Sequence, residues 1–196
     1  MNEPWLIVGL GNPGKRYART RHNAGAMVVE RICERLGVRL RKVRLLSVVA
    51  AEARYEDVPL LLTVPLTFMN VSGQPIASLA RKRGVPPARV IACHDEIDLA
   101  FGALRIKRGG STAGHHGLDS VVQGLRSADF YRVRIGVDRP VAREDNVDFL
   151  LEPFTKREQD ALDPLIEVAA DAVLSLLSEG LDVARDRYTR GGISGS

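Results

Sequence analysis

The stretch Leu6–Gly14, LIVGLGNPG, constrains this chain more than any other. Leu6, Ile7 and Val8 form a short, branched apolar run, which reads as a buried strand. Gly9, Gly11, Pro13 and Gly14 then break the chain into a loop, because glycine accepts positive φ and proline cannot donate to a ladder. The loop carries Asn12, Tyr17, Arg19, Arg21 and His22, and Asn23 stands where an N-cap would open a helix. A rigid strand thus hands over to a loop loaded with amide, phenol, guanidinium and imidazole groups, and such loops are where chemistry tends to sit.

Helical spacing continues from Asn23 to Leu36, with Met27, Val28, Ile32 and Leu36 on one face and Gly37 as the stop. The basic stretch Val38–Arg44 reads as an irregular edge. Leu46–Tyr55 and Val58–Val64 read as strands joined by the turn Glu56-Asp57, and Pro65–Ser72 as a loop. A helix opened by Ser72 or Gly73 closes at Gly84 before Pro86-Pro87. Arg89–Cys93, Ala103–Lys107 and Phe130–Val137 are further strands. The Gly-rich loop Gly109–Gly117 leads into a helix Leu118–Leu125, and Lys156–Ser178 and Leu181–Tyr188 are helical. Strands interleaved with helices argue one α/β domain over 1–189, a mixed and mostly parallel sheet flanked by helices, followed by a disordered tail 190–196. Such a sheet places its site outside the carboxyl ends of its strands, where Asn12, His22, Asn70 and Asp95 fall.

The 196 residues, 45% of them hydrophobic, suffice for one real core. There is no apolar run of spanning length and no signal-peptide pattern, so the expected location is the cytosol. Cys33 and Cys93 are isolated in apolar stretches and read as buried, reduced thiols. The formal charge of +4 hides a polarity. Residues 15–44 carry ten Lys/Arg against two acids, and residues 105–134 carry six against two. Residues 144–190 carry twelve acids against five Lys/Arg. The two basic segments could form one face for a polyanion, or merely a solvated surface.

Gly9-x-Gly11-x-x-Gly14 matches a dinucleotide fingerprint, but Pro13 precedes the third glycine and KRYARTR has no apolar face to open a helix there. His22 with Asp95 is an imidazole–carboxylate candidate, in which the carboxylate fixes the tautomer and leaves the other nitrogen as a base. No Ser or Cys stands in a nucleophile elbow, so water is the expected nucleophile. His94, Asp95, Glu96 and Asp98 resemble a metal cluster in composition, yet His115 and His116 are adjacent and lack i, i+4 geometry.

Five motifs occur in order: GLGNPG…Y…TRHNAG, PLTFMNVSG, HDEIDL, GG…GHHGL and FYRVRIGV. Together, over Leu6–Phe154, the chain resembles the bacterial-type peptidyl-tRNA hydrolase family. The resemblance implies an α/β hydrolase, monomeric and without metal or other cofactor, that cleaves the ester joining a peptide to the terminal ribose of tRNA. By position, it implies His22 as the base, Asp95 as its support and Asn12 as the sensor of an N-blocked aminoacyl group. Asn70 corresponds to the residue that positions substrate and water, while Tyr17, Phe68 and Met69 line the peptide and terminal-adenosine site. Lys107 and Arg134 correspond to a pair that clamps the tRNA 5′-phosphate. Four places depart from the family pattern. His116 stands where an Asn is usual, Ser111-Thr112-Ala113 replaces a richer glycine run, Asp119 replaces a basic residue, and Ala100-Phe101 follows Asp98-Leu99 where a Pro is usual. His116 is expected to act as a substitute contact to substrate. A catalytically dead relative that only binds RNA is the alternative, and the retained His22, Asp95, Asn12 and Asn70 argue against it.

Overall fold

The computed structural model describes residues 3–140, 146–189 and 191. The expected tail 190–196 therefore lies, apart from Gly191, outside the described residues. Seven strands form one sheet: β1 (Trp5–Gly9), β2 (Arg41–Lys42), β3 (Val48–Tyr55), β4 (Val58–Pro65), β5 (Val90–Glu96), β6 (Leu104–Arg108) and β7 (Tyr131–Gly136). The helices are α1 (Ala24–Arg35), α2 (Gly73–Arg83), α3 (His116–Leu125), α4 (Asn146–Leu151), α5 (Lys156–Glu179) and α6 (Leu181–Tyr188).

The strand order is β2-β3-β4-β1-β5-β7-β6. The central strands β4, β1, β5 and β7 run parallel, and β2, β3 and β6 add antiparallel pairs at the two edges. β1 is buried on both faces, which is why it reads as a continuous apolar run. Ile7 faces a core with Val28, Ile32, Leu165 and Ala169. Leu6 and Val8 face a second core with Ile76, Leu79, Leu118 and Val121. The sheet is thus an α/β layer covered on both sides, and the carboxyl ends of β1, β4 and β5 open on the same edge.

Two glycines set how closely the helices approach. A Cβ on Gly25 would lie 2.0 Å from the Cys93 carbonyl oxygen, so α1 rests directly on β5. A Cβ on Gly73 would lie 1.7 Å from the Ser120 carbonyl oxygen, so α2 rests directly on α3. The second contact fixes the separation between the 3₁₀ turn Met69–Val71 and the start of α3. Gly73→Ala forces backbone apart, and we expect a loss of about 3 kcal/mol, the upper range of overpacking, read from urea unfolding midpoints.

Three local expectations are corrected. Asn23 does not cap α1 with its side chain, which is committed elsewhere. The third long helix begins at His116, two residues before the expected Leu118, because the His115 ring accepts the Leu118 N–H and caps it. The short α4, before Lys156, was not expected; its six residues include no fully buried side chain and so show no clean periodicity. The edge character of Val38–Arg44 is realised as the two-residue β2. Cys33 and Cys93 are buried and free, and burial pushes the Cys93 thiol up to about 12 and the Cys33 thiol to about 11.

Candidate active site

At the carboxyl end of β5, the Asp95 carboxylate is buried between two imidazoles. His22, from the 3₁₀ turn Arg21–Asn23, brings Nδ1 to 2.8 Å of Oδ2. His115, from the loop before α3, brings Nε2 to 2.9 Å of Oδ1. Burial alone would raise the Asp95 pKa, but the two histidines outweigh it and hold the carboxyl far below the usual range. The carboxylate is therefore the acceptor, and both rings donate to it.

The tautomers follow from the hydrogen bonds. The Leu118 N–H can only donate, so His115 Nδ1, 3.2 Å away, carries a lone pair and its proton sits on Nε2. Burial lowers the His115 pKa, Asp95 outweighs burial, and the net direction is upward. That pull toward protonation opposes the bond to Leu118, and the geometry belongs to the neutral ring. His22 donates from Nδ1, which leaves Nε2 as a lone-pair nitrogen. His94 is fully buried under His115, their ring centroids 4.9 Å apart, and burial drives its pKa well down. It packs as a neutral ring and bonds through Nδ1 to the Asp95 carbonyl at 2.7 Å.

His22 is held from behind by its neighbour. The Arg21 side chain is buried, donates to Glu158 Oε2 at 2.9 Å and to the Phe149 carbonyl at 3.2 Å, and lies 4.0 Å above the Phe149 ring. The loop after β1 is thereby pinned to the corner between α4 and α5, with His22 on the opposite side.

Asn12 sits in the same loop. Its backbone N–H donates to Asn23 Oδ1 and its carbonyl accepts from Asn23 Nδ2, both at 2.9 Å. Asn23 is a brace for the Asn12 loop, which explains why it makes no cap. The Asn12 Oδ1 accepts the Met69 N–H at 2.9 Å. A backbone N–H can only donate, so this bond assigns the oxygen and leaves Asn12 Nδ2 as the group available to the cleft.

A cleft of about 810 Å³ opens above these groups. Asn12, His22, Phe68, Met69, Asn70, Asp95, His115 and His116 line it, together with Ile97, Val147, Leu150 and Leu151. Phe68 is 58% exposed at the rim, and Tyr17 meets it edge-on with centroids 6.4 Å apart. Met69 is buried, and a Cβ on Gly117 would strike its sulfur at 2.3 Å. His116 is exposed at the first position of α3. Asp119, in place of a basic residue, accepts the Thr112 hydroxyl at 2.5 Å and ties down the loop before α3.

Lys107 and Arg134 lie on adjacent strands at the far flank. Arg134 donates twice to Glu96 Oε2, at 3.1 and 3.0 Å. Lys107 Nζ donates to the Ser111 carbonyl at 3.3 Å. Arg132, fully buried, donates to the same carbonyl at 2.6 Å, while its Nε and Nη2 find no hydrogen-bond partner among the described residues. Burial and the nearby Arg134 and Arg132 lower the Lys107 pKa. Of the two basic segments, Arg41 and Lys42 on β2 and Lys107 on β6 lie at opposite edges of the sheet.

His22, Asp95 and His115 also place their ligand atoms within 4.8 Å of one another, a set able to hold a metal ion. The hydrogen bonds to Asp95 already account for the arrangement of the two rings. Among the described helices none is long and apolar enough to cross a membrane.

The geometry can be set beside known proteins. The family model for peptidyl-tRNA hydrolase matches residues 6–194. The chain belongs to the peptidyl-tRNA hydrolase family. It is accordingly an enzyme, a hydrolase acting on ester bonds. It is 46% identical to the peptidyl-tRNA hydrolase of Nocardia farcinica over 94% of this chain and 95% of that one. With the peptidyl-tRNA hydrolase of Frankia casuarinae it shares 48% identity over 94% and 93%. The crystal structure of peptidyl-tRNA hydrolase from Acinetobacter baumannii superposes with a TM-score of 0.91 at 32% identity, covering 98% of this chain and 97% of that one.

Sequence reasoning missed four participants: His115, Glu96, Arg132 and Arg21. In the sequence His115 is one of two adjacent histidines without metal-ligand spacing. The signal lay in the Gly-rich loop around it, since a histidine just before a helix can serve as cap and partner at once. The wall formed by Val147, Leu150 and Leu151 belongs to the unexpected α4.

Proposed function

We propose that this chain hydrolyses the ester between a peptide and the terminal ribose of tRNA, with His22 activating the attacking water. The observation that carries the reading is the bond from His22 Nδ1 to buried Asp95 at the floor of an open cleft. His22 Nε2 takes the proton as water adds to the ester carbonyl, and Asp95 stabilises the imidazolium that forms. Asn12 Nδ2, with its oxygen already bonded to Met69, donates to the developing oxyanion. Asn70, exposed at the cleft, positions the water and the peptide carbonyl. The ribose oxygen leaves with the proton returned from His22.

Selectivity for an N-blocked substrate has a physical basis. Among the described residues the acids lining the cleft are Asp95 and Glu96, and both are committed, one to two histidines and the other to Arg134. Among the described lining residues no carboxylate is left to neutralise an α-ammonium, whereas the apolar wall of Phe68, Met69, Val147 and Leu150 accepts an amide-linked chain. Lys107 and Arg134 hold the tRNA 5′-phosphate, which competes with Glu96 for the guanidinium. His116 offers a ring nitrogen to the substrate at the rim. The enzyme acts as a cytoplasmic monomer.

The test compares N-acetyl-aminoacyl-tRNA with the unblocked aminoacyl-tRNA. Rapid release from the first and little from the second is the expected result, and equal rates would contradict the reading. Replacing Lys107 and Arg134 together by Ala should raise KM for the full-length substrate about tenfold or more and flatten its dependence on log salt by ~0.7–0.9 per contact. A short 3′-terminal fragment should show little change. An equal loss on both substrates would make the pair structural.

A further inference from the structure

The proposed function gives no role to the cations of the basic segment 15–44. Its ten cations divide into groups in the fold. Arg21 is buried against Glu158. Arg31 and Arg35 lie on α1 against α5, where Glu167, Asp163 and Asp171 neutralise them. The acidic C-terminal segment thus spends part of its charge on this one. Lys15, Arg16 and Arg19 stay in the loop after β1. Arg39, Arg41, Lys42 and Arg44 gather on and around β2, all exposed and all without an ion-pair partner among the described residues.

These residues border a real cleft. About 630 Å³ lies between β2, β3 and the end of α2, lined by Arg39, Arg41, Lys42 and Arg83 with Glu52 as the one acid among the described residues. Glu52 is engaged by Arg83 at 2.5 Å. Unpaired like charges this close repel, and a fold tolerates them most cheaply where a polyanion supplies the counter-charge.

The register places the cleft relative to the active site. Lys42 pairs with Val49, and Val49 with Val64 at the carboxyl end of β4. Val8 pairs with Thr63 and Gly9 with Cys93, while His94 pairs with Arg134. Lys42 and Arg134 therefore stand at nearly the same level, on opposite flanks of the catalytic cleft, while Glu52, paired with Leu61 and so level with Leu6 and Val90, carries the basic cleft on toward the amino ends of the central strands. Five strand intervals of ~4.8 Å separate Lys42 from Arg134, or ~24 Å. The Leu66 N–H, bonded to the Ser47 carbonyl at 2.8 Å, joins the β2–β3 turn to the loop that carries Phe68 and Met69.

We propose that the cleft at Arg39, Arg41 and Lys42 is a second RNA site, which holds the sugar-phosphate backbone of the tRNA away from its 5′-phosphate. The proposal rests on the tRNA reading of the active site. Contacts of this kind are sequence-independent and salt-sensitive, and they serve affinity and docking rather than the chemical step.

The test is fluorescence anisotropy with full-length deacylated tRNA over a salt series, alongside hydrolysis by the unaltered enzyme. The variant is Arg39→Gln with Arg41→Gln and Lys42→Gln, all exposed edge positions, with folding checked by circular dichroism. A matched control, Lys156→Gln with Arg185→Gln and Arg187→Gln, removes the same charge elsewhere. The Lys version of the first variant, Arg39→Lys with Arg41→Lys, keeps the charge. We expect the neutral variant to weaken binding about tenfold or more at ~0.1 M salt and to reduce the log–log salt slope by about two. The control and the Lys version should stay within about twofold of wild type. Unchanged binding in the neutral variant, or an equal loss in the control, would overturn the second site. A wild-type enzyme that fails to hydrolyse peptidyl-tRNA would instead overturn the reading beneath it, and the two failures are distinguishable.

Discussion

His22→Ala is expected to fold like the wild type and to lose hydrolysis by ~10²–10⁴-fold or more, the range of a positioned base. The side chain lines the cleft and belongs to neither hydrophobic core, so its removal leaves the core packing intact. The neighbouring imidazoles cannot take over. His115 spends Nε2 on Asp95 and Nδ1 on Leu118, and His94 is fully buried. Single-turnover rates on an N-acetyl-aminoacyl-tRNA, with unfolding midpoints as the control, read both halves of the expectation. A near wild-type rate would remove His22 from the mechanism.

Asp95→Asn is expected to be almost as damaging, through the wrong tautomer. An Asn side chain presents one acceptor and one donor where Asp95 presents two acceptors. His115 must keep its proton on Nε2, because Leu118 occupies its Nδ1, so the amide oxygen turns to His115. The amide NH₂ then faces His22 Nδ1 and selects the tautomer with its proton on Nε2, the nitrogen that must act as base. The corresponding exchange in a serine-protease triad costs about 10⁴ in turnover. The change also alters pH dependence. Because the Asp95 pKa is depressed in the fold, its ionisation stabilises the protein fully above the unfolded value of about 3.9 and is lost as pH falls toward the folded one. The upward shift of His115 adds stability that is present below the unfolded histidine value of about 6.5 and lost above it, so the advantage of wild type over Asp95→Asn should be widest between about pH 4 and pH 6.5, narrow toward higher pH and shrink below about pH 4, measured by urea unfolding across that range. A constant difference would mean the carboxylate is not held ionised by the two rings.

The strand-loop-helix logic of Leu6–Asn23 was legible because each residue type there has a narrow use. Branched apolar residues give the strand, Gly and Pro break it, and polar groups that follow a buried strand fall at its carboxyl end. The same logic put Asp95 and His22 at strand ends and made them a candidate pair, and the structure joins them across 73 residues. The parallel centre of the sheet was legible from strands alternating with helices, and the edges less so, since two-residue β2 carries no period. What escaped were relations between side chains that local pattern does not encode. Asn23 and Asn12 both have strong turn and cap preferences, and nothing in their spacing says that they bond each other. His115 was hidden beside His116, one ring turned to Asp95 and the other to the rim. Whether the basic segments share one surface stays open in the sequence, which gives charge without the strand order.

The central claim is that water, activated by His22, attacks the ester directly. It is tested most directly by rapid-quench single turnover in ¹⁸O-water, with the intact protein mass and the released peptide followed at each time point. The account predicts a protein mass that never changes and one solvent oxygen in the peptide carboxylate. A protein mass increased by the peptide at early times would reveal a covalent intermediate and contradict it.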